Sequence, residues 1–276
     1  MTNIQSFYLD HGYVVVPGLF AKERLDEVFA DIDRIFRQQA ERYGINLSTG
    51  SGLDGFSHMV TALFKANQGA YLAAAKLAQY TISLHRLSLS DEILLVLAKL
   101  GLEFPAVSTR QVLHFMADAL RIEGGYHKTP PHQDWRSVQG SLDSIGVWVP
   151  FQDVNRKNYP LEVIPGSHRL GLLPSTEDPF GHRVAQGTID ETTFVAIEMS
   201  KGDALFFSNF LVHRTGEKGG ATVRVAASFR FNNAAEPTFI ARTYPNPYIY
   251  RSDMRLLFEG FPKQADVATT FSTKKI

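Results

Sequence analysis

The sequence predicts a mainly β fold with flanking helices, whose core is an antiparallel double-stranded β-helix, the jelly roll of cupin-like proteins. Two observations lead to this fold class. Amphipathic helical patterns occupy the first hundred residues, and short strand-like runs separated by turn residues follow from residue 107. Helices followed by many short strands are typical of an antiparallel sandwich or barrel braced by helices on one side. Apolar residues make up 44% of the chain, enough for a sizeable buried core.

The helical part begins after a short strand. Tyr13–Val16 is a β-branched run closed by a Pro-Gly pair, which indicates a strand that ends in a turn. From Lys22 to Arg42, apolar residues recur at spacings of three and four with charges between them, which predicts an amphipathic helix. Similar patterns predict helices over 68–84 and 91–100. Residues 43–58 hold four glycines and are expected to form a long loop, either a lid or an ordinary surface excursion.

The second part of the chain contains the strand-like runs, each bounded by glycine, proline or other turn residues. We expect a single domain over residues 1–276. Helical support and the candidate lid would span about 20–105, the jelly-roll core about 107–232, and a C-terminal extension about 237–276. The main predicted strands of the core are 109–115, 144–151, 193–198, 204–207 and 223–231.

The composition excludes several classes of function. Lys plus Arg and Asp plus Glu both number 28, so the chain lacks the basic excess that binding to nucleic acid requires. Cysteine is absent, which excludes disulfides, thiolate metal sites and thiol nucleophiles. No run approaches the roughly 18 apolar residues of a membrane span, and we expect no membrane partner and a cytoplasmic location. The expected partner is a small-molecule substrate, and nothing in the sequence indicates an oligomeric state.

The strongest chemical signal is His132-Gln133-Asp134, which places an imidazole and a carboxylate two residues apart. In an extended strand, residues i and i+2 point to the same side, so both side chains can hold one face of a metal ion. His213, which follows a strand-like run, is the candidate third ligand. Two histidines and one carboxylate form the facial triad of non-haem Fe(II) oxygenases. The structural alternative is a core histidine beside a carboxylate that caps a turn.

An arginine follows the candidate third ligand on the next predicted strand. Arg224 lies eleven residues after His213, and a guanidinium can hold an acid through two parallel hydrogen bonds. Arg230 lies six residues further, an even number, so both arginines can face one side of the strand. Spacing from His213 favours Arg224 as the ligand-binding residue. The alternative is that Arg224 pairs with a structural carboxylate.

Several short motifs occur together in a fixed order. They are Gly12-Tyr13-Val14-Val15-Val16-Pro17-Gly18-Leu19, His132-Gln133-Asp134, Val147-Trp148-Val149-Pro150, Ile164-Pro165-Gly166-Ser167-His168, and His213-Arg214-Thr215-Gly216 followed by Arg224. In order and spacing they cover roughly residues 7–231 and resemble the phytanoyl-CoA dioxygenase family of Fe(II)- and 2-oxoglutarate-dependent oxygenases. One departure from the family pattern is Tyr159, which stands where the family often has glycine before Pro-Leu.

The resemblance implies a set of ligands and co-substrates. Fe(II) would be bound by His132, Asp134 and His213, with 2-oxoglutarate on two further metal positions and O2 on the last. The distal carboxylate of 2-oxoglutarate would pair with Arg224. By their place in these motifs, Thr215 and Trp148 are further implied contacts to 2-oxoglutarate. Gln111, on the strand that enters the barrel, is another, and His114 is an alternative to Gln111.

The implied reaction is hydroxylation of an unactivated C–H bond of a small metabolite, with release of succinate and CO2. Desaturation or epimerisation by the same iron chemistry is the nearest alternative, because substrate pose decides among these outcomes. A jelly roll that binds a metabolite without metal or chemistry is an alternative from another class. A metal enzyme that does not use 2-oxoglutarate is a third.

Overall fold

The computed structural model of the chain describes residues 3–45, 52–122 and 128–246. In this part of the chain, the region before residue 101 is helical apart from one strand. Its elements are, in chain order, helix α1 (Asn3–His11), strand β1 (Tyr13–Val16) and helices α2 (Lys22–Arg42), α3 (Gly52–Ala66), α4 (Gln68–Ala78), α5 (Ile82–Ser88) and α6 (Asp91–Leu100).

The region after residue 101 contains the other strands and two short helices. Three single turns of 3-10 helix connect some of them. The elements are strands β2 (Pro105–Val107) and β3 (Val112–Met116), helix α7 (Trp135–Val138), strands β4 (Ile145–Pro150), β5 (Leu161–Val163), β6 (Ser175–Asp178), β7 (Gly181–Val184), β8 (Val195–Ile197), β9 (Ala204–Ser208), β10 (His213–Thr215) and β11 (Arg224–Asn233), and helix α8 (Pro237–Ala241).

Two antiparallel sheets form the centre of the molecule. The larger has the strand order β1-β9-β4-β11-β2, with β3 also paired to β11, and the smaller has the order β10-β5-β8. One buried apolar cluster joins Trp148 and Phe207 of the larger sheet to Leu161 and Val163 of the smaller. The two sheets therefore pack face to face, and strands β6 and β7 form a separate hairpin.

The helices cover the opposite face of the larger sheet. Helix α2 buries an apolar stripe at spacings of three and four that includes Ile32 and Phe36. The Phe36 ring meets Phe56 of α3 at 5.5 Å and Phe115 of β3 at 5.2 Å between centroids, both edge to face. Such pairs favour this geometry because the ring edge is positive and the ring face negative. Helix-to-sheet packing thus fixes the back of the larger sheet.

Several predicted elements are confirmed, including β1 and α2 with their predicted bounds. The helix predicted over 68–84 is two helices, because the Thr81 hydroxyl donates to the carbonyl of Ala78 and the backbone leaves the helical path there. Helix α6 ends as predicted at Gly101, whose φ of 103° lies in the left-handed region that glycine adopts without steric cost. Antiparallel sheets with flanking helices are thus confirmed.

Other predictions are wrong or lie outside the described residues. The fold is not mainly β, because α-helices hold more of the described residues than strands do. The loop predicted over 43–58 is helical from Gly52, because apolar residues recur at helical spacing after the glycines. Residues 46–51 of the candidate lid lie outside the described part, as does the C-terminal extension beyond Asn246. Among the described helices, none is long and apolar enough to cross a membrane.

Candidate active site

Two distant segments meet at the centre of the site through a pair of histidines. His132 and His213, the first residue of β10, form an antiparallel bridge in which each backbone N–H donates to the other's carbonyl, at 3.0 and 3.1 Å. Their imidazole rings lie 4.1 Å apart between centroids, and both residues are buried. The backbone itself therefore fixes the spacing of the two imidazoles.

The hydrogen bonds of the imidazoles decide which ring nitrogen is available. His132 Nδ1 lies 2.8 Å from the carbonyl oxygen of Pro130, and His213 Nδ1 lies 3.0 Å from that of Leu211. A carbonyl oxygen can only accept, so each Nδ1 must carry the proton and donate it. Each Nε2 then keeps its lone pair, which is the state in which histidine binds a metal.

The carboxylate of Asp134 completes the cluster. Its Oδ1 lies 3.4 Å from His132 Nε2 and 3.9 Å from His213 Nε2, and the three potential ligand atoms lie within 4.8 Å of one another. The expected strand geometry is wrong in detail, because Asp134 has helical dihedral angles (φ −60°, ψ −31°) where α7 begins. The chain turns directly after the bridge, and this turn brings the carboxylate to the imidazoles.

The charges around the cluster favour metal-binding protonation states. Burial, with a smaller contribution from His132, lowers the pKa of His213 to about 3. Burial alone would raise the pKa of Asp134, but the positive charge of Arg230 holds it well below the usual range. A neutral imidazole and an ionised carboxylate are the forms that bind a divalent metal.

Arg230 of β11 holds the carboxylate of Asp134 in a two-pronged ion pair. Its Nε donates to Oδ2 at 2.7 Å, and its Nη2 donates to Oδ1 at 3.1 Å. Two parallel hydrogen bonds fix the rotation of a carboxylate as well as its position. Arg230 therefore holds Oδ1, the oxygen nearest to both imidazoles, toward the centre of the cluster.

Arg224 lies at the other end of the same face of β11 and has a different environment. The residue is buried, and its Nε donates to the carbonyl of Tyr159 at 3.1 Å. Its Nη1 is buried and has no hydrogen-bond partner among the described residues. Burial lowers the pKa of Arg224 to about 9, and the described residues supply no carboxylate to it. The side chain thus presents an unsatisfied positive donor to the cavity that also contains the histidines.

Thr215 and Trp148 line the same cavity as Arg224. The Thr215 hydroxyl accepts a hydrogen bond from the backbone N–H of Thr129 at 3.2 Å, so its own proton can be donated into the cavity. The Arg224 Cζ lies 5.4 Å from the centroid of the Trp148 ring, within the range of a cation–π contact. The structure therefore brings both predicted contacts beside the arginine and near the histidine pair.

The two remaining candidates, Gln111 and His114, are separated by the structure. Gln111 is buried behind the strand, where its Nε2 donates to the Ser88 hydroxyl at 2.9 Å, and it does not line the cavity. His114 lines the cavity, with Nε2 at 2.9 Å from Ser228 Oγ. The two residues are three positions apart on an extended segment, an odd number, so their side chains point to opposite sides. His114 is the better placed of the pair.

Tyr159 keeps a glycine-like backbone although it is a large residue. Its φ of 57° lies in the left-handed region, which costs an ordinary residue roughly 1–2 kcal/mol. The hydroxyl donates to Asp118, and the ring lies so close to Gly219 that a Cβ there would collide with it. The strained conformation directs the Tyr159 carbonyl to Arg224 Nε. The backbone carbonyl of Tyr159 therefore helps to position the arginine.

The β6–β7 hairpin packs over His132, and this hairpin is not among the strands that the sequence predicts. The Phe180 ring at its turn meets the His132 ring at 4.8 Å, and the Val184 N–H donates to the Pro131 carbonyl at 2.8 Å. Gln133 fixes the neighbouring segments, because its amide donates to the carbonyls of Gly171 and Phe210. The Asp-Pro-Phe-Gly sequence at 178–181 is a turn signal that could have indicated the hairpin.

Comparison with known proteins places this geometry in context. The phytanoyl-CoA dioxygenase (PhyH) family matches the chain over residues 8–226. Among curated proteins, the peroxisomal phytanoyl-CoA dioxygenase of Mus musculus is 21% identical over 243 residues, which cover 83% of this chain and 68% of the mouse protein. Phytanoyl-CoA dioxygenase 1 of Oryza sativa subsp. japonica is 31% identical over 104 residues, which cover 36% of each chain.

Solved structures share the fold at low sequence identity. The epimerase SnoN, in complex with Fe3+, alpha ketoglutarate and nogalamycin RO, superposes with a TM-score of 0.59 at 19% identity, over 91% of this chain and 92% of that one. EvdO2 from Micromonospora carbonacea var. aurantiaca, complexed with 2-oxoglutarate, superposes with a TM-score of 0.55 at 16% identity, over 85% and 91% of the two chains. At such identity the likeness establishes the fold.

Proposed function

Because the chain belongs to the phytanoyl-CoA dioxygenase (PhyH) family of Fe(II)- and 2-oxoglutarate-dependent oxygenases, we propose that it hydroxylates an unactivated C–H bond of a small metabolite. Succinate and CO2 are the products of the co-substrate. The proposed metal ligands are His132, Asp134 and His213, whose potential ligand atoms converge within 4.8 Å. The proposed fold of the two packed sheets is the double-stranded β-helix, within one domain over residues 1–276.

The observation that carries the proposal is the pairing of this cluster with an unneutralised arginine. A buried guanidinium without a carboxylate is costly unless a ligand supplies the missing charge. Arg224 Nη1 is such a group, and Arg224 lines the same cavity as the two histidines. A dicarboxylate that reaches from the metal to Arg224 would coordinate the metal at one end of the cavity and neutralise the guanidinium at the other.

The residues would divide the binding of 2-oxoglutarate among them. Arg224 would form an ion pair with the distal carboxylate, and the Thr215 hydroxyl would donate a hydrogen bond to the same carboxylate. Trp148 would hold the guanidinium from its ring face. Bound Fe(II), with 2-oxoglutarate and O2, supplies the oxidising power for the reaction.

The surrounding protein would orient the reactants and exclude water. The Nδ1 hydrogen bonds hold both imidazoles in the tautomer that leaves Nε2 free, and Arg230 holds Asp134 in one rotation. Phe180 packs on the His132 ring and restricts access from the hairpin side. Ligands held on rigid backbone and in a dry cavity lower the cost of reaching the reactive geometry.

The direct test follows succinate formation. Anaerobically iron-loaded protein is mixed with 2-oxoglutarate, O2 and a panel of small metabolites. We expect succinate above the background of matched His132→Ala and Asp134→Ala variants, with a product heavier by one oxygen atom. Succinate at the level of both variants across the panel would overturn the proposal. Product mass separates hydroxylation from desaturation, which removes two hydrogens, and from epimerisation, which leaves the mass unchanged.

A binding experiment separates an enzyme from a binding protein without chemistry. Mn(II) replaces iron, so that no turnover occurs, and thermal unfolding is followed with and without 2-oxoglutarate. A ligand at a hundred times its Kd stabilises the folded protein by about 2.7 kcal/mol. We expect this stabilisation only when metal is present. Absence of any effect of metal and 2-oxoglutarate would favour the non-catalytic alternative.

A further inference from the structure

A second and larger cavity opens beside the candidate metal site. Its volume is about 640 Å3, and it lies between helix α4 and strand β3. His114 and Thr129 line both this cavity and the one that contains the histidine pair. Pro179, at the turn of the β6–β7 hairpin, closes one side. Because the two cavities share these lining residues, a ligand in the larger one lies beside the candidate metal site. Its size is typical of a small-molecule site.

The wall of this cavity is both apolar and polar, with the apolar part the larger. Helix α4 and strand β3 supply most of it, because β3 pairs only with β11 among the described strands and its other edge faces the cavity. No Asp or Glu lines the cavity among the described residues. The apolar lining includes Leu72, Ala75, Leu113, Phe115, Met116 and Leu120.

Two cations stand at the exposed end of the same cavity. Lys76 lies on α4, and Arg110 lies just before β3. The Arg110 guanidinium is oriented by Gln79, whose Oε1 accepts from Nη1, and Gln79 is itself held by donating to the Ala75 carbonyl at 3.0 Å. Neither cation forms an ion pair with a carboxylate among the described residues. The pair therefore presents positive charge that the described protein does not neutralise.

We propose that this cavity binds the organic substrate and that the substrate is an amphipathic acid. Its anionic group, a carboxylate or a phosphate, binds between Lys76 and Arg110. Its apolar body follows β3 toward His114 and the metal. The inference rests on the proposed function, because it assigns the substrate of that same site.

The spacing along the chain separates the acid from the point of oxidation. Arg110 and His114 are four residues apart, so their Cα atoms lie at most about 14 Å from each other. A substrate that spans this distance has its reacting C–H on the apolar part, several carbons from the anionic group. The cations thus bind and orient the substrate, and neither of them contacts the metal ligands.

The test uses simple probes in place of the unidentified substrate. Octanoate and 4-phenylbutyrate serve as carboxylates, octyl phosphate as a phosphate, and the amides of both carboxylic acids as neutral controls. Binding is titrated by calorimetry against protein loaded with Mn(II) and saturating 2-oxoglutarate, which prevents the probes from occupying the Arg224 end. We expect both acids to bind at least about tenfold more tightly than their amides, because a charged hydrogen bond adds that much. The tighter of octanoate and octyl phosphate identifies the acid type.

Two variants and two controls locate the binding. Lys76→Met and Arg110→Met should each weaken acid binding by about tenfold and leave amide binding unchanged. Lys99→Met and Arg34→Met remove exposed cations that line no described cavity, and they should change neither. Equal binding of acids and amides, no binding of any probe, or no difference between the site and control variants would overturn the proposal.

Relaxation of the probe protons by Mn(II) tests the orientation. The protons farthest from the carboxylate should relax fastest, and the reverse order would contradict the proposed direction of binding. Failure of the proposed function is recognised separately. If metal and 2-oxoglutarate do not bind, the titrations are repeated on metal-free protein, where the preference for acids and the effects of Lys76→Met and Arg110→Met should persist. Their loss there would overturn the inference itself.

Discussion

Strand β11 carries two arginines on one face, and their surroundings differ at its two ends. At one end, Arg230 is neutralised by the carboxylate of Asp134 through two hydrogen bonds. At the other, Arg224 is buried with Nη1 unpartnered among the described residues. The residue type, the strand and the face are the same. The difference is therefore the presence of a carboxylate, which makes one arginine part of the protein's own framework and leaves the other for the charge of a ligand.

Because of this difference, removal of each arginine should change the stability of the fold differently. Breaking a buried ion pair leaves an uncompensated charge and destabilises the fold. Removing a buried charge that has no carboxylate partner relieves the cost of burying that charge and chiefly impairs the binding of an anionic ligand. Each of the following variants exploits this difference.

The largest expected effect is the loss of fold stability in Arg230→Met. This change leaves the buried carboxylate of Asp134 without its cation, which costs about 3 kcal/mol, the lower end for buried pairs because Arg230 is 15% exposed. Urea unfolding of the metal-free protein measures the loss. Arg24→Met breaks the more exposed pair with Glu92 and should cost under about 1 kcal/mol. Equal losses of unfolding free energy in the two variants would show that the Asp134–Arg230 pair stabilises the fold no more than an exposed pair does.

The second effect is a loss of co-substrate binding in Arg224→Met. A two-pronged ion pair with the distal carboxylate contributes about 2–3 kcal/mol, so the Kd for 2-oxoglutarate should rise by about a hundredfold. Fold stability without ligand should stay the same or increase, because an unpaired buried charge is removed. Titration of Mn(II)-loaded protein with 2-oxoglutarate measures the first quantity and urea unfolding the second. A variant that unfolds more easily yet binds 2-oxoglutarate normally would reverse the roles assigned to the two arginines.

Sequence reasoning identified both arginines but could not tell what each contacts. An even separation on a strand predicts a shared face, and Arg224 and Arg230 do line one cavity. The partner of Arg230 comes from a segment 96 residues away. Such a contact is set by tertiary packing and leaves no local pattern in the sequence.

Local signals explain why other parts were predicted well or badly. Helix α2 was predicted to its ends because its apolar stripe and charges repeat over 21 residues. Strands β5 and β10 hold only three residues each, too few for alternation to be recognised. The sequence does not predict helix α3, because the glycines at its start are typical of a loop. The His132-Gln133-Asp134 motif was found by its chemistry, although a turn rather than a strand brings Asp134 into place.

A smaller effect is expected from Thr215→Val, which removes a hydroxyl of the Arg224 end and keeps the shape of the side chain. Loss of one hydrogen bond to a charged acceptor costs about 1.5 kcal/mol, so the Kd for 2-oxoglutarate should rise by about tenfold. Thr215→Ser retains the hydroxyl and should remain near wild type. Both constants come from the same calorimetric titration. A serine variant as weak as the valine variant would show that the methyl group, and not the hydroxyl, matters.

The smallest effect concerns the ring that holds Arg224 in place. In Trp148→Phe the cation–π contact, at 5.4 Å in the wild type, is weakened but not abolished. Such contacts contribute about 2 kcal/mol between buried groups, and we expect the smaller ring to lose about 0.5–1 kcal/mol of this. The Kd for 2-oxoglutarate should therefore rise by about two- to fivefold. The indole also packs in the core between the sheets, so the change in Kd alone does not identify its cause. A double-mutant cycle does, because a contact made through the guanidinium disappears when Arg224 is already methionine. If Trp148→Phe weakens binding equally in the wild-type and Arg224→Met backgrounds, the ring acts on the pocket independently of the arginine.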